Sequence, residues 1–192
     1  LVRGTAAPGA KMEFLGREIH ADRNGGFIIG FGRDFAASAP LYWFDANGKR
    51  HGLILNIKAR TYKTERIDGL PAKMVTPPKA VLDRIRRENR GIAAVRRKNS
   101  PTPWHESGFI WPLQGRISGV YGSQRILNGK PRRPHYGLDI ANKTGTPVRA
   151  STDGMVALAE NDLYYTGGTV MLDHGQGLTS VYSHLHSVTV KR

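Results

Sequence analysis

Short apolar runs broken by turn-forming residues dominate the first 75 positions. Phe27-Ile28-Ile29, Leu41-Tyr42-Trp43-Phe44 and Leu53-Ile54-Leu55-Asn56-Ile57 are each of strand length. Asn24-Gly25-Gly26 and Asp45-Ala46-Asn47-Gly48 separate such runs, and Asn47-Gly48 is a hairpin signal. The pattern predicts a small β-sandwich or barrel of roughly five to seven strands over residues 1–75. Thr76-Pro77-Pro78 then reads as a helix start, with Thr76 as N-cap and proline tolerated in the first turn. Val81, Ile85, Ile92 and Val95 share one helical face with arginines around it, so a helix is expected to run to about Arg97, weakened at Gly91. Asn99-Ser100-Pro101-Thr102-Pro103 is a linker by composition, because two prolines in close succession oppose regular structure.

From Phe109 onward the pattern is again β. Val148-Arg149-Ala150, Met155-Val156-Ala157-Leu158, Thr169-Val170-Met171-Leu172 and Ser180-Val181-Tyr182-Ser183-His184 are the predicted strands. Gly115, Asn128-Gly129, Lys143-Thr144-Gly145, Asp153-Gly154, Gly167-Gly168 and His174-Gly175-Gln176-Gly177 mark the turns. The sequence has no internal repeat and no low-complexity tract.

Composition adds limits rather than a function. At 192 residues the chain is long enough for a sizeable core, and 39% hydrophobic with 23% charged residues is ordinary for a globular protein. No apolar run reaches the roughly 18–20 residues of a membrane span. The chain opens on Leu1 with no charged-then-apolar leader, so a mature or trimmed form is expected, its export signal not visible. With no cysteine there are no disulfides and no thiolate zinc sites. The net charge of +14 is densest at Arg84, Arg86, Arg87, Arg90, Arg96, Arg97 and Lys98. Such a field favours a polyanionic neighbour: nucleic acid, an acidic membrane surface or an anionic cell envelope. A solvated helix face explains it equally well.

The candidate chemistry centres on His135-Tyr136-Gly137-Leu138-Asp139. An imidazole and a carboxylate four positions apart point the same way on a helix or a strand. Alternation with Tyr136, Leu138 and Ile140 favours a strand whose other face meets a core. Neutral imidazole plus carboxylate suits zinc, which takes nitrogen and oxygen ligands at about 2.0–2.2 Å. Two ligands do not complete a site. Of the seven histidines, His174 reads as a strand-end turn residue, and His20, His51 and His105 read as surface residues. Tyr182, His184 and His186 fall on one face of a continuous strand by their spacing, so they stand either as half-exposed sheet residues or as metal-site groups. A serine nucleophile finds no Gly-x-Ser-x-Gly, and Gly167-Gly168-Thr169 lacks the lysine and following helix of a phosphate loop.

Gly115-Arg116-Ile117-Ser118-Gly119-Val120-Tyr121-Gly122, His135 to Asp139, Gly145-Thr146-Pro147-Val148, Asp153-Gly154-Met155-Val156, Leu172-Asp173-His174-Gly175-Gln176-Gly177 and Tyr182-Ser183-His184-Leu185 occur in that order. This set resembles the lysostaphin/LytM-type zinc metallopeptidases, which hydrolyse peptide bonds of bacterial peptidoglycan. The resemblance implies a mainly β protein in three parts: an accessory β domain at 1–75, a basic helix and Pro-rich linker at 76–108, and a LytM-like β-sandwich of duplicated hybrid motif type at 109–192. It implies zinc as cofactor, with His135 and Asp139 as ligands and His184 as the catalytic histidine. It also implies a peptidoglycan peptide substrate and a cell-envelope location, periplasmic or secreted. The family's third ligand comes from a later His-x-His. Tyr182 before and Ser187-Val188-Thr189-Val190-Lys191 after His184-Leu185-His186 match the earlier strand, so the expectation is that this segment lies beyond Arg192, with His186 as the alternative within the chain.

Arg125, Arg132 and Arg133 are expected on a loop over the groove, where they hold substrate carboxylates or are simply solvated. Asn128 is either an occupant of the open metal position or an Asn-Gly turn residue, and the turn is favoured. The rival function is a catalytically incomplete domain of the same fold that binds or activates another wall hydrolase. Nucleic-acid binding ranks last, because no stacking aromatics interleave the arginine run.

Overall fold

Each of the N-terminal hydrophobic runs becomes a strand, with alternate residues buried in Lys11–Phe14 and at the start of Ser38–Phe44 and three consecutive ones in Gly26–Ile29. The computed structural model describes residues 1–69 and 77–192; the predicted Thr76 N-cap lies outside them. The strands are β1 (Val2–Thr5), β2 (Lys11–Phe14), β3 (Arg17–Ile19), β4 (Gly26–Ile29), β5 (Ser38–Phe44), β6 (Arg50–Asn56) and β7 (Thr64–Ile67). One antiparallel sheet runs β3-β2-β5-β6, and β1 pairs with β4 beside it. Met12, Phe14, Ile19, Phe27, Ile29, Ala39 and Leu41 form the core between them. The Asn47-Gly48 signal is realised in the β5–β6 connection. Asp45 Oδ1 accepts the Asn47 and Lys49 N–H groups at 2.9 and 3.0 Å, and Lys49 O accepts the Asp45 N–H at 3.0 Å.

A short 3-10 turn (Lys79–Val81) leads into α1 (Leu82–Arg96). Its apolar stripe is real: Ile85 and Val95 are buried, and Val95 packs with Ile92, Ala157, Leu158 and Met171. The other anchor is polar. Glu88 accepts the Tyr164 N–H at 2.9 Å and the Arg84 Nε–H at 2.6 Å, while Arg84 also reaches Asp162.

The second half contains β8 (Arg116–Gly119), β9 (Gln124–Leu127), β10 (Lys130–Pro131), β11 (Asp139–Ala141), β12 (Met155–Leu163), β13 (Gly167–Asp173) and β14 (Thr179–Leu185). β12-β13-β14 is an antiparallel sheet whose central strand is buried almost throughout, with Met171 fully enclosed. β8 pairs with β11, and β9 lies between β10 and β7. The β7–β9 pairing is parallel, Thr64 against Gln124 to Ile67 against Leu127, and ties the N-terminal segment into the second half. Among the described residues no helix is long and apolar enough to cross a membrane.

Two strand predictions fail for the same reason. Val148-Arg149-Ala150 joins no ladder. Arg149 N–H bonds only Pro112 O, at 2.9 Å, and proline on both runs (Pro112, Pro147) removes the donors a ladder needs. His135 to Leu138 is likewise irregular: Pro134 precedes it and the chain bends at Gly137, so only Asp139 enters β11. Tyr136 and Leu138, expected to face a core, are about half exposed, because β11 pairs only with β8 among the described residues.

The Pro-rich stretch 99–103 is irregular as its composition requires, yet it is docked. Ser100 Oγ donates to Asp173 Oδ2 at 2.5 Å, and Ser100 O accepts the Gln176 N–H at 2.6 Å. Gln176 Nε2 reaches Gly26 O in the N-terminal sheet at 3.1 Å. The Asp173–Gly177 turn thus gathers three regions of the chain.

Candidate metal centre

His135 is held by one tight turn, Val120 to Ser123. Its N–H donates to Ser123 O at 2.8 Å, and its carbonyl accepts the Gly122 N–H at 2.7 Å. Its ring Nδ1 lies 3.2 Å from Val120 O. A carbonyl only accepts, so Nδ1 carries the proton and the Nε2 lone pair is left for another partner. Nε2 faces Asp139 Oδ1 at 3.1 Å.

That pair fits a cation. In the neutral tautomer fixed by Val120, both facing atoms are acceptors, so the short gap calls for a proton or a metal ion between them. Two ligands of a tetrahedral zinc at about 2.0–2.2 Å stand roughly 3.3 Å apart, close to the spacing found. Both side chains are solvent-accessible, at 34% and 54% exposure, which leaves an entry path for an ion and substrate. A third ligand is not supplied nearby: among the described residues no group of three or more His, Cys, Asp or Glu side chains is placed to hold a metal.

Asp139 is placed by a bulge. It pairs with Gly119 and Ile140 pairs with Ile117, so Ser118 is an extra residue on β8. The Asp139 carboxylate folds over Gly119, where a Cβ would collide with it.

His184 lies on β14. Ser183 and His184 together oppose Thr169 on β13, and His184 has a left-handed backbone (φ 60°) with its N–H on Thr166 O at 2.8 Å. This bulge breaks the two-residue alternation, so Tyr182, His184 and His186 do not form the continuous face their spacing predicts. His184 and His186 are exposed, and no hydrogen bond or ion pair joins either to His135 or Asp139 among the described residues. Tyr182 instead turns its hydroxyl to the Ser151 N–H at 2.7 Å.

His174 is a buried structural residue, as its position after β13 predicts. Nδ1 bonds Asp153 O at 2.6 Å and Nε2 meets Ser180 Oγ at 2.7 Å. His105 corrects the surface assignment: it is 4% exposed, with Nε2 3.1 Å from Gln176 Oε1. The docking of residues 99–107 on the 173–177 turn buries it. Arg125 is not on a loop but in β9, ion-paired with Glu65 at 3.4 Å. Arg133 lies over the Tyr136 ring at 5.2 Å. Asn128 and Gly129 both have positive φ and form the β9–β10 hairpin turn.

Two residues that sequence reasoning did not single out touch the His135 turn. Arg33 Nε donates to Gly122 O at 2.7 Å, and its guanidinium lies 4.5 Å over the Tyr62 ring. Nothing local to Arg33 or Tyr62 in the sequence signals this.

Residues 133–192 match Peptidase family M23. The C-terminal part of this chain is similar to that family over those residues. This chain is 39% identical over 83 residues to Cell division protein DipM of Caulobacter vibrioides, covering 43% of this chain and 13% of that protein. It is 37% identical over 78 residues to Peptidoglycan DD-endopeptidase ShyA of Vibrio cholerae, covering 40% and 18%. It is 28% identical over 85 residues to Murein hydrolase activator NlpD of Escherichia coli, covering 44% and 21%. The matched stretch therefore spans about a fifth or less of these relatives. A crystal structure of a candidate M23 peptidase from Pseudomonas aeruginosa superposes with a TM-score of 0.73 at 25% identity, over 98% of this chain and 71% of that one.

Proposed function

We propose that this chain is part of a zinc-dependent endopeptidase that hydrolyses peptide bonds of bacterial peptidoglycan in the cell envelope. The observation that carries the reading is the His135–Asp139 couple: Nε2 and Oδ1 are 3.1 Å apart, with Nδ1 committed to Val120 O. A relative named for peptidoglycan endopeptidase activity supports the substrate class. His135 and Asp139 would hold the metal, which when bound would polarise a peptide carbonyl as a Lewis acid and lower the pKa of bound water toward about 7.

The chain's own residues do the remaining work. Val120 O fixes the His135 tautomer and ring direction, the usual task of a partner behind a metal-binding imidazole. His184 is assigned the proton-transfer or oxyanion role, exposed and therefore able to meet a substrate. The exposed Arg86, Arg87, Arg90, Arg96, Arg97 and Lys98 on and after α1 give an electrostatic affinity for an anionic envelope surface.

One observation favours a second reading, a binding or activating module for another wall hydrolase. No third ligand joins His135 and Asp139 among the described residues, and one relative is named a murein hydrolase activator. Zinc content and release of peptide fragments from purified peptidoglycan separate the two. Turnover that needs zinc and is lost in H135A supports the enzyme; zinc-independent stimulation of a second hydrolase supports the module.

A further inference from the structure

The ring, the N–H and the carbonyl of His135 all find partners within Val120–Ser123. The aim of its Nε2 is therefore only as fixed as that turn. Within the turn Ser123 alone bridges to Val120 O, through its N–H at 3.4 Å and its Oγ at 3.0 Å, and Gly122 has φ 87°. Beyond these bonds and those to His135, the turn is held from far upstream. Arg33, 12% exposed in its side chain, donates to Gly122 O at 2.7 Å and stacks on Tyr62. Tyr62 in turn lies against Gly122, where any Cβ would strike its ring. Its edge meets Tyr121 at 6.2 Å, and Tyr121 meets Tyr136, the neighbour of His135, at 6.1 Å. Gln124 N–H on Lys63 O, at 2.9 Å, closes the far end.

We propose that Arg33 and Tyr62 are positioning residues for His135. They clamp the Val120–Ser123 turn from the N-terminal segment and so set the direction of the metal-binding nitrogen. The inference rests on the reading of His135 as a zinc ligand. The N-terminal segment is then a part of the metal centre, not an appendage. Partners behind a metal-binding histidine are commonly worth 10–100-fold in metal affinity, although a carbonyl held at one remove sits at the lower end.

The test uses the full chain as wild type, R33A, Y62A, Y62L and R84A. Arg84 fastens α1 to Asp162, and among the described residues its bonds go to Glu88 and Asp162 and not to the His135 turn, so R84A controls for general loss of stability. Hydrogen exchange over residues 119–137, zinc affinity and thermal midpoint are measured on each. R33A and Y62A are expected to speed exchange at Gly122 and His135 and to weaken zinc roughly tenfold. R84A should lower the midpoint while leaving both at wild-type values. Y62L keeps apolar bulk beside Gly122 and removes the ring under Arg33, so it carries the test if either alanine variant does not fold, with faster exchange expected. Wild-type exchange and affinity in the folded Arg33 and Tyr62 variants, or equal changes in R84A, overturn the proposal. Absence of zinc binding in the wild type would instead overturn the functional reading, and the exchange data would still judge the clamp.

Discussion

The carboxylate of Asp139 occupies the space that a side chain at Gly119 would need. The two residues are paired across β8 and β11, so the aim of the proposed metal-binding oxygen depends on a residue with no side chain. Gly119→Ala forces either the strands apart or the carboxylate aside. The expected result is a loss of about 1–3 kcal/mol in stability, typical of overpacking, with zinc affinity reduced at least tenfold. Chemical denaturation and zinc titration read the two effects separately.

Helix α1 should unlock from β12 without harm to the metal centre. Glu88→Gln weakens the acceptor for the Tyr164 N–H and removes the charge facing Arg84. Burial alone would raise the Glu88 pKa, but the Tyr164 N–H and the Arg84 guanidinium outweigh it, and the carboxyl is held below its ordinary 4.5. A depressed folded-state pKa contributes stability that is present above 4.5 and lost as pH falls through the folded value. E88Q is therefore expected to lower the midpoint at pH 7 and to flatten the acid limb of the stability curve. Thermal melts between pH 3 and pH 7 check it.

Glu106 behaves in the opposite sense. Its hydrogen bond to Asp22, then burial, raise its carboxyl above the ordinary range, while Asp22, the charged partner, is held low. Stability from this shared proton is present below the unfolded pKa of about 4.5 and is lost as pH rises through the folded value. Glu106→Gln supplies a permanent donor to Asp22 without the charge. It should leave stability unchanged in acid and raise it at neutral pH, which melts at pH 4 and pH 7 will show.

His174 should matter for folding and not for chemistry. It is 1% exposed and satisfied at both ring nitrogens by Asp153 O and Ser180 Oγ. His174→Ala leaves a cavity and two polar groups without partners, at a cost of about 2–4 kcal/mol. The folded fraction is expected to bind zinc with wild-type affinity.

Much of this architecture was legible in the sequence because it is local. The runs at Phe27, Leu41 and Leu53 became β4, β5 and β6, and the stripe through Ile85 and Val95 became the buried face of α1. The spacing of His135 and Asp139 also anticipated their approach, even though the segment is a bend and not a strand. What escaped notice is non-local. β7 (Thr64–Ile67) is exposed at every position and has no apolar alternation, so nothing marks it as a parallel partner of β9. Arg33 and Tyr62 reach Gly122 across 89 and 60 positions of chain, with no periodic trace. His105 is buried by the docking of a proline-rich stretch whose composition signals only irregularity.

The most direct measurement is a zinc titration followed at the His135 imidazole by NMR, in the wild type and in D139A. The account predicts one zinc per chain, a shift of the His135 Nε2 signal on binding with the proton retained on Nδ1, and loss of that response in D139A. An unperturbed His135 at saturating zinc, or an identical response without Asp139, would contradict it.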